Sequence, residues 1–310
     1  MAKIKMLIDT DIGDDLDDTL ALSMALSMQD KIEIIGVTTV FNDTALRAQM
    51  VKKLLDDYNY SAPIYAGYGK TEGGFQTPPI PIFKTCPEVF DTTYIANKNP
   101  EDAIDFIIDS CYKYKKDLVL LAIGPFTNIH KVIKKDLNAL KQIDKVVVMA
   151  GAFFKQYADW NVFCDPISAK TMFDNVDNLV ALGADVTHLL GVPEEVSLKL
   201  INYSGDDKGI QNVAKTCKAV MDIWQGGKIT LHDPLALYTA VDDKFVGLES
   251  AEIEVVTDGP MAGYTFNITA YCKKHLNGYY KDKDYNKVTV ARTVKAEEFI
   301  KLFFDTILKN

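Results

Sequence analysis

The sequence predicts an α/β protein with an open, mostly parallel sheet and helices on both of its faces. Three observations carry that prediction. Short β-branched or wholly apolar runs alternate with helical patterns through the first two thirds of the chain. The first such run, residues 4–8, ends in six aspartates, Asp9, Asp11, Asp14, Asp15, Asp17 and Asp18. Further polar clusters follow later apolar runs, and a parallel sheet gathers its strand ends along one edge, where α/β proteins build their sites.

The elements follow in order. After the aspartates, Thr19-Leu20-Ala21-Leu22 opens a helical pattern. Residues 32–39 are short and β-branched, residues 44–58 helical, and 63–65 read as another strand. A helix over 102–112 precedes the continuous apolar run 118–123, which suits a strand buried on both faces. Residues 128–133 look helical and 145–149 form a second buried strand. A helix with proline in its first turn runs from Pro166 to about residue 173. Residues 180–182 are a strand, and 194–201 and 210–224 are helical. The last third changes character: strands at 253–257, 264–269 and 288–291 suggest a small C-terminal β region, closed by a helix over 297–308. With no internal repeat, a single domain spanning 1–310 is expected. Segment 67–87, rich in Gly, Pro and Thr, reads either as a lid or partner surface or as a plain surface excursion.

Composition narrows the class. The 310 residues are 48% hydrophobic and 25% charged, with net charge −9, enough for a sizeable core. The acidity argues against a nucleic-acid partner, which calls for a basic patch. The apolar N-terminal run is too short to span a membrane and lacks a signal-peptide cleavage pattern, so a cytoplasmic location is expected. Cys86, Cys111, Cys164, Cys217 and Cys272 are scattered without a CxxC pair and read as reduced thiols.

Carboxylates as crowded as those between Asp9 and Asp18 repel one another, and a hard cation with oxygen ligands relieves them. The other strand-end clusters contain Asn42, then Asp159 to Asp165, then His232-Asp233-Pro234. Each also has a purely structural reading. Asn42 or Asp43 suits a helix cap, Asp233 before Pro234 suits another, and for Asp165 before Pro166 the cap is the preferred reading.

Taken together, these motifs resemble the inosine–uridine-type nucleoside hydrolases. The matching residues are Asp9-Thr10-Asp11 with Asp17-Asp18, Val37-Thr38-Thr39-Val40 with Asn42, and Ala122-Ile123-Gly124-Pro125-Phe126-Thr127-Asn128. Further on come Val148-Met149-Ala150-Gly151-Ala152, Asp159-Trp160-Asn161 with Asp165-Pro166, Gly183 to His188, and His232-Asp233-Pro234. Each is weak alone; in this order they cover nearly the whole chain.

The resemblance implies Ca²⁺-dependent cleavage of the N-glycosidic bond of ribonucleosides, releasing nucleobase and ribose. Asp11, Asp18 and Asp233 would ligate Ca²⁺ together with the backbone carbonyl of Ile123. Asp17 would activate a metal-bound water, Asn42 and Asn161 would hold ribose hydroxyls, and Asp159 would replace a sugar-contacting glutamate. Met149 would line the pocket. His232 would either protonate the departing base or orient it, and Trp224 would either stack on the base or pack in the core. Relatives of this kind are homodimers or homotetramers, so an oligomer is implied too.

Two departures from the family pattern bear on substrate and base. Relatives commonly show Asp-Thr-Asp-Pro-Gly-X-Asp-Asp, whereas this loop carries two more residues; aligned from its start, Asp15 replaces Asp17 as the base. The stretch 152–158 lacks the Gly-Asn that grips the 5′-hydroxyl, leaving room for a larger 5′ group with Lys155 nearby, and 67–87 contains no histidine. Two rival readings remain. A haloacid dehalogenase-type phosphatase would use Asp9 as nucleophile with Mg²⁺ and Ser204 to Asp207 as its later acidic motif. A non-catalytic homologue would bind ribosides without turnover. An EF-hand is excluded by Gly13 at a ligand position and by the lack of a closing glutamate.

Overall fold

The computed structural model describes residues 3–77, 82–223, 228–273 and 285–309. The strands among them are β1 (Ile4–Thr10), β2 (Ile32–Thr39), β3 (Ile64–Ala66), β4 (Leu118–Ala122), β5 (Lys145–Met149), β6 (Leu179–Leu182), β7 (Val246–Val255), β8 (Thr265–Asn267) and β9 (Lys287–Val294). They form one sheet in the order β3-β2-β1-β4-β5-β6-β9-β7-β8. From β3 across to β9 every pairing is parallel, while β7 runs antiparallel to both β9 and β8.

The helices are α1 (Asp17–Ser27), α2 (Thr44–Asp57), α3 (Ile82–Thr85), α4 (Glu101–Tyr114), α5 (Thr127–Gln142), α6 (Trp160–Cys164), α7 (Pro166–Asn175), α8 (Ala184–Thr187), α9 (Glu194–Ile201), α10 (Lys208–Ile223), α11 (His232–Val241) and α12 (Ala296–Ile307). Period-2 alternation along the central strands sorts their side chains between two cores. Val119 and Leu121 of β4 pack with Leu20, Val51, Leu235 and Phe303 on one face. Leu118, Leu120 and Ala122 pack with Ile107, Ile129 and Phe173 on the other. All five β4 residues are buried, which is why the run carries no polar position.

Helix α1 is buried along almost its whole length, Asp17 to Leu26. It therefore has no polar face, and its two acidic residues sit at its buried N-terminus, where the helix dipole favours negative charge.

The strands of the last third, the small C-terminal β region, join the main sheet at one edge. β9 enters the main sheet between β6 and β7, with Val180 opposite Thr289 and Ala181 opposite Val290, so it extends the parallel part while β7 and β8 add an antiparallel edge. Helix α5 runs well beyond the predicted stretch, to Gln142, with a kink at Asp136 (φ −157°, ψ 88°). The five-residue α6 lies in a stretch the sequence left unassigned, too short for hydrophobic periodicity to register. Trp224 and residues 78–81 of segment 67–87 lie outside the described residues.

Candidate active site

The site is built from the carboxyl ends of β1, β4 and β5 and the first turns of α1 and α11. β1 register places Asp9 beside Thr38 of β2 and Ala122 of β4. Asp9 is fully buried, and its Oδ1 accepts hydrogen bonds from Thr38 Oγ1 at 2.5 Å and Asn128 Nδ2 at 2.7 Å. Burial pushes its pKa up to about 7. It does not line the pocket described below, so it cannot serve as the nucleophile that the phosphatase reading requires.

Past β1 the chain turns at Gly13, whose φ of 111° favours glycine. The loop is held from behind by the buried Arg47 of α2, which donates to the backbone carbonyls of Asp11 and Ile12 and, at 2.9 Å, to Asp14 Oδ2. Thr10 Oγ1 donates to Asp18. On the opposite side Gly124 comes so close that a Cβ there would lie 2.8 Å from Asp11 Oδ1, so the β4–α5 loop admits no side chain at this point.

These segments enclose a pocket of about 260 Å³. Asp11, Asp17, Asp18, Ile123, Met149, Asp159, Asn161, His232 and Asp233 all line it, and so does Asp15, the alternative base. Asn42 is not among its lining residues. The Asn42 amide hydrogen-bonds Thr77 of segment 67–87, donating to Thr77 Oγ1 and accepting from Thr77 N–H. Lys155 is exposed and also lies off the pocket wall.

Crowding sets the electrostatics. Carboxylate oxygens of Asp15, Asp17 and Asp18 lie within 4.8 Å of one another. Burial, and then the neighbouring carboxylates, hold Asp11, Asp17 and Asp233 well above the usual range and push Asp18 up to about 8. Asp233 is at the second position of α11 and caps nothing. Its buried Oδ1 has no hydrogen-bond partner among the described residues, which corrects the cap reading. An orphaned buried carboxylate oxygen beside a cluster of all-oxygen donors fits a hard divalent cation. By contrast Asp165 is a cap, its Oδ1 accepting from Ser168 N–H at 3.1 Å, and Asp43 likewise caps α2.

Around the carboxylates, Asn161 Nδ2 donates to the carbonyls of Ile123 (3.0 Å) and Met149 (3.1 Å), tying the ends of β4 and β5 together. Asp159 accepts from Val162 N–H at the start of α6, and burial raises its pKa to about 6. His232 Nδ1 shares a 2.6 Å hydrogen bond with Thr187 Oγ1. Burial, and then His188, lower the His232 pKa to about 4. His188 packs edge-on against His232 with ring centroids 5.0 Å apart and shares a 3.0 Å hydrogen bond with Tyr157. Tyr157, Trp160 and His188 also line the pocket, although the sequence assigned them no role there. Their signal was position alone, inside or beside motifs already recognised.

The inosine-uridine preferring nucleoside hydrolase family model matches residues 6–301. Uridine nucleosidase 1 of Arabidopsis thaliana is 26% identical, over 96% of this chain and 92% of the relative. The purine-preferring ribonucleoside hydrolase of Gardnerella vaginalis has a similar structure, at TM-score 0.77 and 26% identity over 98% of each chain. A plant nucleoside hydrolase, PpNRh1, matches in fold at TM-score 0.81 and 22% identity over 99% of each chain. The chain thus belongs to the inosine-uridine preferring nucleoside hydrolases, metal-dependent enzymes, and is a ribonucleoside N-glycosyl hydrolase.

Proposed function

We propose that the metal is Ca²⁺, held by Asp11, Asp18, Asp233 and the carbonyl of Ile123, and that Asp17 is the base for the attacking water. The observation that carries this reading is one pocket lined by Asp11, Asp17, Asp18, Ile123 and Asp233, in which Asp233 Oδ1 has no partner among the described residues and oxygens of Asp15, Asp17 and Asp18 lie within 4.8 Å of one another. Bound there, Ca²⁺ would offset the carboxylate charge and lower the pKa of a water in the pocket. Asp17, fixed in the first turn of α1, accepts the proton. Asp159 and Asn161 take ribose hydroxyls, and the fixed negative charge stabilises the oxocarbenium-like sugar as the glycosidic bond breaks. Asn42 joins them only if its bond to Thr77 opens, so its sugar contact is coupled to segment 67–87. His232 faces the departing base and either protonates it or orients it. The assembly is a homodimer or homotetramer of cytoplasmic location. Among the described residues no helix is long and apolar enough to cross a membrane.

The test is release of reducing sugar from a panel of purine and pyrimidine ribosides, with Ca²⁺ and with chelator. Chelator-sensitive release restored by Ca²⁺ supports the reading, and the panel ranks the bases. Release that is restored only by another divalent ion removes Ca²⁺ from it. Silence across the panel with Ca²⁺ tightly bound favours a modified riboside or a non-catalytic homologue.

A further inference from the structure

We propose that Arg47 is a positioning residue for the metal-binding loop, holding the turn from Asp11 to Asp14 in its ligating shape before the cation arrives. This rests on the reading that a divalent cation occupies the carboxylate cluster. Arg47 has no solvent exposure. A guanidinium removed from water is costly unless its donors are used, and here four hydrogen bonds engage all three of its nitrogens. Nε donates to the Phe41 carbonyl at 2.8 Å, Nη1 to the carbonyls of Ile12 at 2.9 Å and of Asp11, and Nη2 to Asp14 Oδ2 at 2.9 Å. One planar fork therefore fixes two loops at once. The first carries Asp11; the second carries Asn42, which lies with Phe41 in left-handed backbone conformation (φ 56° and 68°). Asp14 belongs to the stretch in which this loop is longer than Asp-Thr-Asp-Pro-Gly-X-Asp-Asp, so the ion pair and the extra length go together.

Charge and geometry make opposite predictions for this residue. A permanent positive charge next to a cation site weakens cation binding, so on Coulomb grounds alone removing it tightens the site. If Arg47 acts by holding the loop, removing it loosens the site despite the better electrostatics. Lysine keeps the charge but cannot reproduce the fork, because its single ammonium cannot reach both loops in one plane.

The experiment is calorimetric titration of Ca²⁺ into the metal-free wild type, Arg47→Gln and Arg47→Lys, with deuterium exchange of the chelated proteins. The expected result is Ca²⁺ binding weaker in both variants by about 10- to 100-fold, the usual cost of losing a supporting partner of a metal site. Exchange should speed up at residues 11–16 and 41–42 and stay unchanged in the central strands. Wild-type or tighter Ca²⁺ binding by Arg47→Gln overturns the inference, whatever its thermal stability. If Arg47→Gln does not fold, undiminished affinity in Arg47→Lys overturns it instead. If the wild type takes up no Ca²⁺, the cation reading fails separately. The exchange pattern then decides: acceleration confined to the two loops supports the clamp, and unchanged exchange overturns it.

Discussion

Asn128 donates from Nδ2 to Asp9 Oδ1 across 2.7 Å, joining residues 119 positions apart in the chain. The same amide donates to the Thr39 carbonyl, and its oxygen accepts from Tyr68 N–H. One side chain thus braces the ends of β1 and β2 and the start of segment 67–87. Asn128→Ala should leave the half-buried Tyr68 N–H without its acceptor and take one of two donors from both Asp9 Oδ1 and the Thr39 carbonyl. The expected loss is about 2 kcal/mol in urea unfolding, with KM little changed in the protein that remains folded.

Asp9 also gives the fold a pH dependence. Its folded pKa of about 7 lies above its ordinary value of 3.8, so the native state binds the extra proton between them. That contribution is fully present below about pH 4 and is lost as pH rises through about 7. Asp9→Asn removes the titration. The Tm difference between variant and wild type should shift in favour of the variant as pH rises from 5 to 8, and a difference that stays constant would refute the assignment.

Chelated protein should lose stability over a similar range for a second reason. Asp18, at about 8, and its raised neighbours must ionise against one another as pH increases. Saturating Ca²⁺ should flatten the pH dependence of Tm between pH 5 and 8, because a bound cation removes the repulsion. Identical slopes with and without metal would mean that the cation binds elsewhere.

Asp17→Asn should lower kcat by about 10²- to 10⁴-fold, the usual range for a lost general base, while Ca²⁺ affinity changes much less. Asp15→Asn serves as the comparison. A larger kcat loss for Asp15→Asn would transfer the role of base to Asp15, and loss of Ca²⁺ with full residual turnover would remove it from Asp17.

For His232 the leaving group separates its two candidate roles. If the imidazole protonates the base, His232→Ala should slow inosine and uridine by about 10²-fold or more and leave p-nitrophenyl riboside nearly untouched, since nitrophenolate departs without a proton. An equal loss on all three substrates would assign His232 to orientation.

Much of this site was legible because strand ends and carboxylates are local features. The apolar run before Asp9, the buried run before Ile123 and the paired Asp17-Asp18 each announce themselves within a few residues, and a parallel sheet must bring them together. Arg47 was not legible. A lone arginine on an amphipathic helix reads as surface, and nothing local shows that α2 turns it inward under a loop that lies 36 positions away in the chain. Asn42 shows the converse. It follows its strand as expected, yet its left-handed backbone and its bond to Thr77 take it off the pocket wall. Strand order was not legible in the sequence, because the insertion of β9 between β6 and β7 is a non-local pairing that leaves no mark on the hydrophobic pattern.

That insertion constrains biosynthesis. On the ribosome β6 emerges more than a hundred residues before its neighbour β9, and until then a fully apolar parallel edge has nothing to cover it. Most of the carboxylate site can be in place while the sheet is still open. The chain should therefore be most prone to aggregate before β9 joins the sheet, and a released chain truncated before residue 287 should engage chaperones more strongly than the full-length chain.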